Sequence, residues 1–173
     1  MRTFFFALAI LAFAAFAAFA DVVDKSPSGF TVRHIATVPG SPGSVYNAIV
    51  DVGSWWDSSH TWSGSAKNLS ITAEAGGCFC ERLPPDGELA HATVIYAAPG
   101  KLLRMSGALG PMQGSGVTGA LTFELKPSGA GTEITLTYSA GGYFQGGIEN
   151  LAGPVDQMLA SQIAGLKKRL ARP

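Results

Sequence analysis

Between residues 69 and 143 the chain repeats one device six times, a short run rich in β-branched and aromatic residues closed by a Gly or Pro turn signal. Leu69–Ala75 stops at Gly76-Gly77, and Cys78–Leu83 stops at Pro84-Pro85-Asp86-Gly87. Ala90–Ala98 stops at Pro99-Gly100, and Lys101–Leu109 at Gly110-Pro111. Val117–Lys126 stops at Pro127-Ser128-Gly129, and Thr132–Gly141 ends the series. Such regular punctuation predicts consecutive antiparallel strands. In two of them the alternation is clean. Leu121, Phe123 and Leu125 interleave with Thr122 and Glu124, and Ile134, Leu136 and Tyr138 with Thr135 and Thr137. That period of two belongs to a sheet with one dry face and one wet face. Interior glycines (Gly107, Gly119, Gly141, Gly142) point to a strongly bent sheet.

The flanking segments supply what the dry face packs against. Phe30–Val38 reads as a further strand. Pro39-Gly40-Ser41-Pro42 breaks it, with Ser41 as helix cap and Pro42 at the first helical position. Val45, Ala48, Ile49 and Val52 then form a short amphipathic stripe, and Ser54-Trp55-Trp56-Asp57 starts a second short helix or turn toward His60 and Trp62. After Gly153-Pro154, a longer helical stripe runs through Val155, Leu159, Gln162 or Ile163, Leu166 and Leu170, widened by Met158. Ala160, Ala164 and Gly165 keep part of that helix small. A curved antiparallel sheet of about seven strands, two short helices after its first strand and one long C-terminal helix make an α+β two-layer domain.

Residues 1–20 stand apart from this domain. Arg2 precedes an uncharged run from Thr3 to Ala20 that ends Ala18-Phe19-Ala20, with Asp21 next. A cationic start, an apolar stretch and a small-x-small site read as a secretory signal peptide cleaved after Ala20. The mature chain is then periplasmic or secreted, with 21–29 a polar lead-in and 30–172 the folded domain. Removing Arg2 leaves eleven basic residues against twelve acidic ones. That balance gives no attraction for nucleic acid or, once the leader is gone, for a membrane surface. The Lys167-Lys168-Arg169 cluster with Arg172 complements the dipole of a helix end.

Several motifs, taken in order, carry a resemblance. These are Val45-Tyr46-x-Ala48, Trp55-Trp56, Gly76-Gly77, Pro99-Gly100-Lys101-Leu102 and Gly131-Thr132. Over residues 30–172 the chain resembles the START/polyketide-cyclase superfamily, the helix-grip domains also called SRPBCC. The resemblance implies a helix-grip fold with a hydrophobic cavity between sheet and C-terminal helix. It implies no single chemistry, since this superfamily spans lipid carriers, cyclases, dehydratases, dioxygenase domains and chaperone-ATPase activators.

The residues themselves offer candidates. Trp56, His60, Trp62, Met105, Leu121, Phe123, Tyr138, Met158 and Leu166 are placed to line an apolar site, Tyr138 with a hydroxyl to orient a ligand. No nucleophile elbow, phosphate-cradling loop or zinc helix is present, and Gly110–Gly116 (GPMQGSG) reads as a flexible loop at a cavity mouth. No metal and no cofactor are expected. Catalysis would have to use His60, Glu81 or His91. If Leu83 pairs with Glu88, Cys80 faces His91, whereas a one-residue slip brings Glu81 opposite it. Cys78-x-Cys80 places two cysteines on one side of a strand, about 6.6 Å apart at Cα. A pair of buried small residues is the first reading, a disulfide requiring a bulge the second, and a metal site a distant third. The functional reading is an exported binder or carrier of a small apolar molecule. The alternative is a cyclase, lyase or hydrolase in the same cavity, and a protein-interaction module comes third.

Overall fold

The structure, a computed structural model, describes residues 19–172, with side chains from Val22 onward. Apart from the backbone of Phe19 and Ala20, the leader over 1–20 lies outside the described residues. The strands are β1 (Phe19–Ser26), β2 (Gly29–Pro39), β3 (Leu69–Ile71), β4 (Cys78–Leu83), β5 (Gly87–Ala98), β6 (Leu102–Ser106), β7 (Gly116–Ser128) and β8 (Gly131–Tyr143). They form one eight-stranded sheet in the order β1-β2-β8-β7-β6-β5-β4-β3, with every neighbouring pair antiparallel.

Helix α1 (Pro42–Val50) begins where Ser41 accepts a hydrogen bond from the Ser44 amide. Helix α2 (Ala152–Leu170) buries Val155, Leu159, Gln162, Ile163 and Leu166 and lies chiefly against β2. His34 on β2 reaches it directly, its Nε2 standing 3.0 Å from Asp156 Oδ1. At Gly165 a Cβ would sit 2.4 Å from the Trp55 carbonyl oxygen, so only glycine lets the Trp55 turn approach the helix this closely.

Two expectations change and a third is refined. The polar lead-in 21–29 is largely β1, an edge strand paired along β2. Val23, Asp24 and Lys25 are exposed, so this strand needs backbone partners rather than an apolar face and leaves no alternation in the sequence. The segment beginning at Leu69 stops pairing at Ile71 instead of reaching Ala75. The second short helix or turn after α1 is divided into 3-10 turns at Val52–Ser54, Ser58–His60 and Ala66–Asn68.

Candidate functional site

The site grows from an irregularity in β5. Phe79 pairs with Ala92 but Cys80 pairs with Ala90, so His91 is an extra residue in the ladder. This bulge puts two consecutive side chains, His91 and Ala92, on the inner face, which regular pleating forbids. Neither sequence-based register is correct. Leu83 pairs with Gly87, Glu81 pairs with Leu89, and His91 faces neither Cys80 nor Glu81 across the ladder. The bulge nevertheless brings His91 Nε2 within 2.8 Å of Glu81 Oε2.

Glu81 is fully buried and also accepts the backbone N–H groups of Trp62 and Ser63. Burial pushes its carboxyl upward, but the hydrogen bonds from Ser63, Trp62 and His91 together outweigh this and hold the group below the usual carboxylate range. A carboxyl group with a depressed folded-state pKa stabilises fully above its unfolded value of about 4.3, and that contribution fades as pH falls through the folded value. Melting curves of parent and Glu81→Gln should therefore differ widely at neutral pH and converge in acid. A gap that persists undiminished would show that the ionised carboxylate is not the source of the stability.

The segment clamped by Glu81 carries Trp56, His60 and Trp62. Gln162 on α2 holds it from the other side, accepting the Asp57 N–H at 2.8 Å and lying 3.1 Å from His60 Nδ1. Aromatic rings connect core to site, with Phe123 against Trp55, Trp55 against Trp56, Trp56 against Phe79 and Phe79 against His91. Opposite them, Leu109 and the 3-10 turn Gly110–Gly114 face the start of α2. Tyr138 secures that turn's approach, its hydroxyl accepting the Leu109 N–H and donating to the Gly107 carbonyl, both at 3.1 Å. Burial pushes this hydroxyl up to about 12 despite the bond from Leu109.

These parts enclose a cavity of about 450 Å³ at the N-terminal end of α2. Its wall includes Trp56, Trp62, Phe79, Leu109, Met112, Leu151, Val155 and Met158, with His60 and His91 among its polar members. Of the residues expected to line an apolar site, Trp56, His60, Trp62 and Met158 are on this wall. Met105, Leu121, Phe123, Tyr138 and Leu166 are not. All five are essentially fully buried members of the hydrophobic core cluster between sheet and helix. Tyr138 offers no hydroxyl to a ligand, because the 107–109 backbone uses it. Overpacking with Leu121→Trp should accordingly cost about 1–3 kcal/mol of stability and leave the cavity itself unfilled, as paired thermal melts and dye titrations would report. Of the Gly110–Gly116 loop, Gly110, Pro111 and Met112 border the cavity, within a 3-10 turn over Gly110–Gly114 in which Met112 is buried.

The cysteines also depart from their first reading. Cys78 and Cys80 are joined in a disulfide with Cα atoms 5.3 Å apart, on the side of β4 opposite Phe79 and Glu81. The pair is only half-buried, so it is not core filling. Among the described residues, no group of three or more His, Cys, Asp or Glu side chains has metal-binding geometry.

No family model matches the chain. No curated protein matches it either. Solved structures do. The Aha1 dimer from Colwellia psychrerythraea aligns at a TM-score of 0.58 with 18% identity, over 81% of this chain and 95% of the other. CalU16 from Micromonospora echinospora aligns at 0.56 with 12% identity, over 90% and 82%. DynU16, from the dynemicin biosynthetic locus, aligns at 0.57 with 16% identity, over 81% of this chain and 46% of its own length. The fold is a helix grip. In this helix grip the cavity opens at one end of α2, and the inner faces nearer the middle of the sheet belong to the buried core cluster.

Sequence reasoning missed Phe79, Leu109, Leu151 and Pro154 as wall residues and read Gln162 only as a stripe position. A glutamine within an apolar helical stripe was the available signal, since a buried amide must find partners.

Proposed function

We propose that the chain is an exported START/SRPBCC-type protein that binds and carries a small hydrophobic molecule. The observation that supports this most is the cavity of about 450 Å³, walled mainly by aromatic and aliphatic side chains and carrying few polar groups. Cavities of this size and character suit small organic ligands. Export rests on the leader sequence, and N-terminal sequencing of secreted material should return Asp21 as the first residue.

The binding test fills the wall. Leu151 and Met158 are partly exposed, so larger rings there can project into the cavity without being forced into the core. Leu151→Trp/Met158→Trp should weaken Nile red binding at least about tenfold, or about 1.4 kcal/mol, with little change in melting temperature. Undiminished dye affinity in that variant would refute binding at this place.

A second reading has one observation in its favour, the buried Glu81–His91 pair, of which His91 is on the cavity wall. An ionised Glu81 can only accept, so it takes the Nε2–H of His91, and Nδ1 is the ring nitrogen left over for acid–base work. Carrier remains the better reading, because both Glu81 oxygens also accept backbone N–H groups and the clamp accounts for the pair without chemistry. The measurement that separates them is conversion of the co-purified ligand, followed by mass. Loss of conversion by 10²–10⁴-fold in His91→Phe, with ligand still bound, would establish the enzyme.

A further inference from the structure

Gln162 has both ends of its amide assigned by partners that allow no alternative. Its Oε1 faces the Asp57 backbone N–H at 2.8 Å, which can only donate. Its Nε2 faces the Met158 carbonyl oxygen at 3.3 Å, which can only accept. The amide therefore cannot be turned over, and the NH₂ group is the end that meets His60 Nδ1 at 3.1 Å. The two hydrogens on Nε2 serve three acceptors, the Met158 carbonyl, Ser161 Oγ at 3.1 Å and His60 Nδ1. Because an NH₂ group only donates, Nδ1 accepts from it; the Asp57 carboxylate stands farther off, its Oδ2 3.7 Å from Nδ1. A neutral imidazole with an accepting Nδ1 carries its proton on Nε2. Among the described residues nothing hydrogen-bonds Nε2, and His60, its side chain 38% exposed, borders the cavity mouth together with Trp56 and Trp62. The fixing partner is rigid, for Gln162 is buried at 1% exposure in the middle of α2.

We infer that His60 is the polar anchor of the cavity, that Gln162 holds it as an Nε2–H donor, and that the ligand is an apolar molecule with a hydrogen-bond acceptor such as a ketone or quinone oxygen. This deepens the carrier reading and rests on it. The remaining wall near His60, with Trp56 and Trp62, offers ring faces and edges to a flat apolar body, so one donor sets the orientation while apolar contact supplies most of the affinity. His60 touches the ligand, whereas Gln162 acts through His60 and is a positioning residue. Glutamate at 162 reverses the instruction. Its second oxygen accepts, so a neutral His60 must move the proton to Nδ1 and present a bare Nε2.

The test uses a matched pair of probes, 9-fluorenone and fluorene, which differ in one carbonyl group. Parent protein should bind both, and His60→Phe should lose about threefold to tenfold of the preference for fluorenone while holding fluorene within about twofold. Gln162→Glu, at a pH where the imidazole is neutral, should lose the same preference. Nitrogen-15 NMR of histidine-labelled protein reads the tautomer directly, with the proton on Nε2 in the parent and on Nδ1 in Gln162→Glu. Failure of the parent to bind either probe would bring down the carrier reading and this inference with it. Binding of both probes with an unchanged preference in the two variants would overturn the anchor alone. A parent spectrum with the proton on Nδ1 would overturn it without any variant.

Discussion

Glu81→Gln should unfold on the order of 10 °C below the parent protein, a loss of about 3 kcal/mol or more. The substitution keeps size and shape, so packing is not the reason. Oε2 receives the Trp62 N–H and the His91 Nε2–H, and Oε1 receives the Ser63 N–H. Every partner donates. A glutamine can offer only one oxygen, and its NH₂ group must oppose a donor whichever way it turns. At a fully buried position water cannot relieve that conflict, and each stranded buried donor costs about 1–3 kcal/mol. The 61–63 segment, released from β4, should also let Trp62 leave the cavity wall, so dye affinity falls with stability. Differential scanning calorimetry and a Nile red titration on the same sample check both. A melting temperature within about 2 °C of the parent would mean that the clamp contributes under 1 kcal/mol.

Tyr138→Phe is expected to cost about 2–4 kcal/mol although it removes a single oxygen atom. That atom serves two backbone groups, the Leu109 N–H and the Gly107 carbonyl. The ring lies at 0% exposure, and Gly119 opposite it leaves no slack, since a Cβ there would come within 2.6 Å of the hydroxyl. Phenylalanine keeps the ring contacts and strands one donor and one acceptor in the same place. The loss should spread to Leu109–Met112 on the cavity wall, raising amide exchange there while exchange in β2 and β8 tracks only the global change. Uniform exchange throughout would show that Tyr138 supports the whole sheet and not this wall.

The sheet and the two helices were legible because their signals are local. Leu121, Phe123 and Leu125 alternate with polar neighbours, and Ser41-Pro42 caps a helix with standard chemistry. The cavity was less legible for two physical reasons. An apolar residue on an inner face reads the same whether its neighbours fill the space or leave it open, which is why Phe123 and Leu121 were grouped with Trp56 and Met158. The His91 bulge is a matter of pairing count between two strands, and nothing in Ala90-His91-Ala92 announces it. Glu81 is a candidate for chemistry by residue type, and what its position in the sequence does not announce is the set of donors from Trp62, Ser63 and His91 that it holds. Gln162 was the converse, a polar residue whose position in an apolar stripe held information not fully used.

In the sheet order, β3 to β8 follow one another as a plain meander, while β2 reaches its place beside β8 across about a hundred residues of sequence. Meander contacts close short loops and β2–β8 pairing closes a long one, so contact order divides the molecule into a quick part and a slow part. The cavity draws on both sides of that division, taking Trp56 and His60 from before the meander, Phe79 and His91 from within it, and Met158 from after it. Under the proposed carrier reading, a ligand would meet its complete site only once these distant segments have come together. It would then shift the folding equilibrium by RT ln(1 + [L]/Kd), acting as the final contribution to a domain whose site is complete no earlier.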